Sequence, residues 1–416
     1  MENFDYNEQD LDNLIIKDKA YYCRRRKNIL LISISILLVI IAIIVVVLIL
    51  IQPKEVNRIN CQYETKKDNE IVILFNDNNN LDFSLIIDDD NYKKKNSHEF
   101  EKAGIHNVIF EFETKLDSLE GFFEGNKYLI DSDFSNLKTE NIKSMAYLFK
   151  DCSYLNKVVF NNETPRLSNI KYMFYNCDSL TIANLNLDTS KVTQMDYMFY
   201  NCVKLNYLDI SSFYLENLIN SSYMFQGCTN LTEIKFNDNS TTKNLEDMNY
   251  MFDSCSSLEN INSKIFKKNK LKNLNFVFKD CNSLKEIDLS NFESQNITEL
   301  RGTFFNCRNL KNINLTNFDT SKVRRMDGIF AYCRSLTYLD ISSFYLENLI
   351  SSSYMFHNCA RLKEIKFNDN TTTKNLEDMN HMFFHCDSLT QINTKIFKQN
   401  KLTNLNNVFA LLLALI

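Results

Sequence analysis

"MDYMFYNC", Met195–Cys202, is the stretch on which the reading of this chain turns. Near copies end at Cys177 ("IKYMFYNC"), Cys255 ("MNYMFDSC") and Cys386 ("MNHMFFHC"). A cysteine that returns with the same neighbours is a nucleophile, a metal ligand, half of a disulfide or core filler. Its period bears on the choice. Cysteines stand at Cys152, Cys177, Cys202, Cys228, Cys255, Cys281, Cys307, Cys333, Cys359 and Cys386, spaced by 25 to 27 residues. In "LEGFFEGN", Asn126 holds the same place 26 residues before Cys152. A longer period overlies this one: "KVTQMDYMFYNC" from Lys191 returns in altered form from Lys322, 131 residues or five units later.

One unit reads V-x-x-M-x-x-M-F-x-x-C-x-x-L-x-x-L-x-L. After the cysteine, "LNYLDI" (Leu205–Ile210) alternates as a short strand with one buried face does. Before it, Val192, Met195, Met198, Phe199 and Cys202 recur at steps of three and four, which predicts a short helix or 3₁₀ turn. "DTSKV" (Asp188–Val192, again Asp319–Val323) offers Asp, Thr and Ser as capping residues for that helix. A strand plus a helical turn in 25–27 residues falls in the leucine-rich-repeat range. Such a unit buries its apolar face only by stacking on neighbours. The expected fold is therefore a leucine-rich-repeat-like solenoid of about eleven units, roughly 50 Å long at about 4.8 Å per strand.

The phrases "FDTSKVRRMDGIF" and "LTYLDISSF" carry a family resemblance. The repeat resembles that of the BspA-like leucine-rich-repeat surface proteins, over about residues 105–409. The resemblance implies a cell-surface protein used for adhesion or ligand binding, not catalysis.

Ile29–Ile51 holds 23 residues without a charge or a helix breaker. At about 1.5 Å each they reach roughly 35 Å, enough for a bilayer core. The run exceeds the apolar stretch of a cleaved signal peptide, and no small-residue cleavage site follows it. "CRRRK" (Cys23–Lys27) precedes the run, so the positive-inside rule puts the N-terminus in the cytosol and the repeats outside. The expected organisation is a cytoplasmic tail (1–28), a transmembrane helix (29–51), a β-rich cap or stalk (52–104) and the repeat array (105–416). In the cap, "EIVILFNDNNNLDFSLIID" suggests two strands around an Asn-rich turn at Asp77–Asn80, and "DDDNYKKKN" (Asp88–Asn96) a charged loop. The tail is too short for an enzyme domain. Cys23 is a palmitoylation candidate beside the membrane, and Tyr6, Tyr21 and Tyr22 are phosphorylation candidates without supporting context. The apolar end from Phe409 is too short to span a bilayer; it reads as a terminal cap or a truncated end.

The cysteines do not read as chemistry. A nucleophile needs a base at a fixed place, and ten like sites share none. His381, His385 and Cys386 have metal-like spacing, but the duplicate carries Tyr250 and Ser254 where the histidines stand. Disulfides fit an exported protein. Yet residues at one phase of a solenoid stack on one another, and Asn126 shows that no thiol is required. Asn126 and the ten cysteines are therefore expected to be a core ladder of small buried groups.

Residues between the buried leucines should face solvent: Tyr207, Asp209, Glu233, Lys235, Glu286, Asp288, Tyr338, Asp340, Glu364 and Lys366. They make a mixed-charge candidate ligand face. Sequons at Asn162, Asn220, Asn230, Asn239, Asn296, Asn314 and Asn370 are candidate glycosylation sites in a secretory pathway. A net charge of −5 argues against nucleic-acid binding, and no catalytic, metal or cofactor motif recurs. The expected protein is a single-pass plasma-membrane protein, not an enzyme and without a cofactor, whose ectodomain binds a protein or glycan ligand for adhesion. The alternatives are a receptor signalling through the short tail and a passive surface coat.

Overall fold

The computed structural model describes residues 8–51, 57–77, 81–161, 163–237, 239–267, 269–397, 401–404 and 406–408. The chain divides into two units, Met1–Val56 and Asn57–Ile416. The first holds one helix, α1 (Glu8–Ile51). Its side chains from Ile16 to Val46 are exposed around the whole circumference, and the stretch is long and apolar enough to cross a membrane. Ser33 and Ser35 donate their hydroxyls to the carbonyls of Ile29 and Leu31, both at 2.9 Å. Polar groups within the apolar run are thereby satisfied inside the helix.

The second unit begins with an antiparallel module. Strand β1 (Arg58–Thr65) alternates, burying Ile59, Cys61, Tyr63 and Thr65. Strands β2 (Glu70–Ile73), β3 (Phe83–Ile87), β4 (Asp90–Tyr92), β5 (Ser97–Phe100) and β6 (Gly104–Phe112) follow. The two strands expected around the Asn-rich turn are β2 and β3, but they pair with β5 and β6 rather than with each other. Residues 78–80 of that turn lie outside the described residues. The loop read at Asp88–Asn96 contains β4. Strand β6, where the repeat array is expected to begin at residue 105, pairs antiparallel with β1, Cys61 opposite Val108. An apolar alternation alone does not say which neighbour a strand pairs with.

The other edge of β1 pairs antiparallel with β7 (Leu129–Asp133), the first solenoid strand. From β7 onward every strand ladder is parallel: β8 (Lys157–Phe160), β9 (Ile182–Leu185), β10 (Tyr207–Asp209), β11 (Glu233–Lys235), β12 (Glu286–Asp288), β13 (Asn312–Asn314), β14 (Tyr338–Ile341) and β15 (Glu364–Phe367). Nine of the eleven units thus carry a strand, giving a β-solenoid of about nine strand-bearing turns. The units of Cys255 and Cys386 carry 3₁₀ turns instead, at Ser263–Phe266 and Thr394–Phe397. These are the two copies of "IN[ST]KIF", the third unit counted from Lys191 and from Lys322. Inside the coils eleven phenylalanines, from Phe123 to Phe383, stack one per unit with centroids 5.3–5.8 Å apart and planes within 12°. Phe199 and Phe225 are fully buried members of this stack.

The segment before each cysteine is not helical. It is a ribbon of β-turns with two left-handed residues per unit. In the unit of Cys202 these are Tyr197 (φ 59°) and Asn201 (φ 57°). Met198 N donates to Met195 O, and Cys202 N to Phe199 O, which closes two turns with φ > 0 at the third residue, as in a type II turn. The alternate amides point out of the coil: Met195, Tyr197, Phe199 and Asn201 donate to Asn220, Ser222, Met224 and Gln226 of the next unit at 2.7–3.1 Å. A helix would have spent those donors on itself. The "DTS" residues are likewise not helix caps. Thr189 Oγ1 donates to Tyr214 O (3.2 Å) and accepts from Tyr214 N (2.8 Å), a coil-to-coil clasp repeated at Thr320 and Tyr345. Asp188 accepts from Ser190 N in a local Asx turn.

The thiols have one partner each. Cys202 Sγ donates to Phe174 O at 3.2 Å, Cys228 to Phe199 O at 3.0 Å, and the pattern holds from Cys152 to Cys386 at 2.9–3.2 Å. The acceptor is the stacked phenylalanine of the preceding coil. Asn126, which has no coil before it, donates instead to Ile73 O and Leu74 O of the antiparallel module. All twelve cysteines are free. Burial pushes the thiols of Cys202, Cys255 and Cys307 well up, and those of Cys333 and Cys386 to about 12. In the folded full-length protein only the exposed Cys23 should react with a maleimide; in guanidinium all twelve should. Mass spectrometry of the alkylated chain checks this, and a shortfall in guanidinium without reductant would mean disulfides.

Gly302 (φ 54°) stands where other units place Tyr197 or Tyr250, and a Cβ there would collide with the Phe276 ring. Gly302→Ala should destabilise the fold by about 1–3 kcal/mol through overpacking and left-handed strain. Its cost should shrink when Phe276→Ala is already present, a non-additivity that a double-mutant cycle of unfolding measures.

Candidate functional site

The strands place the candidate residues outward by alternation. In β10, Leu208 is buried between Tyr207, 43 % exposed, and Asp209. In β11, Ile234 is buried between Glu233 and Lys235; in β12, Ile287 between Glu286 and Asp288. In β14 and β15, Tyr338, Glu364 and Lys366 are exposed and Asp340 is half-buried. The parallel register sets Tyr207 beside Glu233 and Asp209 beside Lys235, and in the duplicate block Tyr338 beside Glu364 and Asp340 beside Lys366. Glu286 and Asp288 stand beside Asn312 and Asn314. The face is not one continuous sheet. Its ladders stop between β9 and β10, between β11 and β12, and between β13 and β14.

Lys235 Nζ lies 2.8 Å from Asp209 Oδ2, and Lys366 Nζ 2.8 Å from Asp340 Oδ2. Partial burial pushes the Asp209 carboxyl up, but hydrogen bonds from Lys235 and Ser211 outweigh it and hold the group at about 2. Asp340 is lowered by the same balance with Lys366 and Ser342. Both pairs thus satisfy themselves, and being half exposed they contribute little stability. They leave the tyrosines as the exposed apolar groups of their strands.

A second aromatic array was not legible in the repeat formula. On the turn side Tyr147, Tyr172, Tyr197, Tyr223, Tyr250 and Phe276 stack in series at 4.5–5.1 Å with planes within 22°. Tyr175 and Tyr200 form a shorter parallel rank. The series stops where Gly302 and Gly328 replace tyrosine. The rings cover one another's faces, so this side offers solvent mostly edges and hydroxyls. The signal that would have found it is the glycine at the tyrosine position, a mark of left-handed backbone.

His381 stacks on Tyr354 at 5.0 Å and contacts Asn380 Oδ1 at 2.6 Å, while His385 Nδ1 lies 3.9 Å from Asp387. Buried His357 meets the Tyr332 hydroxyl at 3.1 Å; burial, then the nearby His381 and His385, push its pKa down. Among the described residues no group of three His, Cys, Asp or Glu side chains is placed to hold a metal ion. Of the sequons, Asn230, Asn239, Asn314 and Asn370 are exposed and Asn220 and Asn296 half-buried. Asn220 Oδ1 accepts from Ser222 N in the turn ribbon, and Asn296 Oδ1 accepts from Lys322 Nζ. Asn162 lies outside the described residues, as does the apolar end from Phe409.

Comparison with known proteins adds a family. No curated protein matches the chain. Similar solved structures include a leucine rich cell surface protein from Faecalibacterium prausnitzii, 15% identical over 73% of this chain and 86% of that one, with a TM-score of 0.35. A leucine-rich repeat protein from Eubacterium ventriosum is 15% identical over 63% and 84%, with a TM-score of 0.31. At such scores these likenesses add nothing to the fold described above. Residues 94–186, 181–265 and 272–396 match the family model described as "Mycoplasma protein of unknown function, DUF285". These stretches take in most of the chain and nearly all of the solenoid, and the chain belongs to the DUF285 family.

Proposed function

We propose that this chain is a single-pass plasma-membrane protein of BspA-like type whose solenoid lies outside the cell and binds a protein or glycan ligand, serving adhesion. The observation that carries the reading is α1, whose apolar side chains from Ile29 to Val46 are exposed on every side and are preceded by Arg24, Arg25, Arg26 and Lys27. A core helix hides such a surface; a bilayer accepts it. In this reading residues 1–28 form the tail and 29–51 the span. The antiparallel module, extended to the end of β6, caps the solenoid by pairing β1 with β7. The strand face with Tyr207 and Tyr338 meets the ligand, and the exposed sequons carry glycans if the cell supplies them. The chemistry is binding rather than catalysis.

Receptor function is the second reading, favoured by the continuity of α1 from Glu8 into the span, which would join tail and span as one rigid body. Deletion of the tail that changes surface delivery alone would count against it. The main reading is tested on intact cells producing the chain with a tag at each end. Added protease should remove the repeats and spare the N-terminal tag; full protection of the repeats would refute surface placement. Cells displaying the chain should then adhere to at least one immobilised matrix protein, glycan or cell type. Adhesion no better than that of cells lacking the chain would favour a passive coat.

A further inference from the structure

A cavity of about 550 Å³ lies along β9 at the break between the β8–β9 ladder and the β10–β11 ladder. It follows from one weak strand. Six residues after the cysteine, other units place a larger side chain, buried at Val158, Leu208, Ile234 and Ile287 and partly buried at Ile261, Ile313 and Ile392; this unit has the small, partly buried Ala183. Ile182, 49 % exposed, and Tyr207 supply the cavity's apolar surface. Asn184, Asn186, Asn206 and Asp209 supply its polar surface.

We infer that this cavity binds a neutral glycan, with a pyranose ring packed on Tyr207 and its hydroxyls held by the asparagine amides. The inference rests on the reading that the strand face is the ligand face, and it names the ligand class. Unlike the turn-side tyrosines, Tyr207 stacks on no other ring among the described residues, so its face is free for the C–H face of a sugar. The side-chain amides of Asn184, Asn186 and Asn206 have no partner among the described residues. Each offers two donors and one acceptor, the set that adjacent hydroxyls need. No lysine or arginine lines the cavity, and Asp209 is already held by Lys235 and Ser211. An anionic sugar or a phosphate finds no counter-charge there. The volume is that of a small-ligand site.

The test uses the full-length chain in nanodiscs on an array of neutral oligosaccharides (mannans, β-glucans, galactans, N-acetyllactosamine chains) and sialylated or sulphated ones. The chain should be retained by at least one neutral set. Tyr207→Ala should weaken that binding about tenfold or more, and Tyr207→Phe by no more than about threefold. Asn184→Ala combined with Asn186→Ala should weaken it too. Unchanged melting curves for these surface variants exclude misfolding as the cause. Retention by acidic glycans alone, or neutral binding that Tyr207→Ala leaves intact, overturns the inference while leaving a ligand-binding solenoid. Binding to an immobilised matrix protein but to no glycan does the same and assigns the face to a polypeptide. Binding to nothing on either panel overturns the inference together with the reading beneath it.

Discussion

Everything in the solenoid depends on one constraint: each coil must give its backbone donors to the next. The turn ribbon meets it by alternation. Met195, Tyr197, Phe199 and Asn201 send amides forward, while Met198, Tyr200 and Cys202 close turns locally. That alternation requires left-handed residues such as Tyr197 and Asn201. A non-glycine residue in that region costs roughly 1–2 kcal/mol. The cost recurs in every unit, and so does what offsets it: a cross-coil hydrogen bond at the residue itself and, over much of the array, a tyrosine ring stacked on the next. The stability is cooperative along the array, since each bond exists only if the neighbouring coil is in place.

The cysteine belongs to the same constraint. The Phe199 carbonyl accepts from Cys202 N in its own coil and from Cys228 Sγ in the next. A thiol suits this place because it fills apolar volume and still supplies a weak donor. The phenylalanine whose carbonyl is used is also the one whose ring stacks. One residue pair per unit thus ties backbone, side-chain donor and aromatic core together. Asn126 makes the exception instructive. At the first unit the acceptors are the carbonyls of Ile73 and Leu74, and an amide reaches them.

Much of this was legible in the sequence, because period and burial leave marks in it. The 25–27-residue beat, the strand after most of the cysteines and the burial of Met195, Met198, Phe199 and Cys202 follow from residue spacing alone. The helix expected before the cysteine does not form, and the reason is physical. A ribbon of turns also brings every third or fourth side chain inward, so the spacing cannot tell it from a helix. The marks against a helix sit at single positions: Gly121, Gly302 and Gly328 at the tyrosine place, and Asn176, Asn201, Gly227, Asn306 and Asn358 just before the cysteine. Gly and Asn are the residues that tolerate left-handed backbone. Thr189 read as a cap because capping and cross-coil clasping use the same hydroxyl. The cavity was not legible, since it arises where two ladders fail to join, and only Ala183, where every other cysteine-bearing unit has Leu, Ile or Val, marks it.

The two long faces of the array are suited to different work. On the turn side Tyr172, Tyr197, Tyr223 and Tyr250 are consumed by one another. Their ring faces are closed, and their regularity is that of a structural element. The strand side cannot close itself in this way, because its outward residues vary from unit to unit and its ladders break. Where Lys235 meets Asp209 the face is self-satisfied. Where Tyr207 meets the strand carrying Ile182, Ala183 and Asn184, apolar area and amide groups are left without partners. Duplication of a five-unit block copied Tyr207 as Tyr338 but not β9, because β9 lies before the block begins at Lys191. The strand preceding Tyr338 carries Asn312 and Ile313 where Ile182 and Ala183 stand, so the arrangement at Tyr207 is not repeated there. Specific recognition in a repeat protein must come from where the repetition fails, and at β9 that failure leaves apolar area and free amides beside an exposed tyrosine.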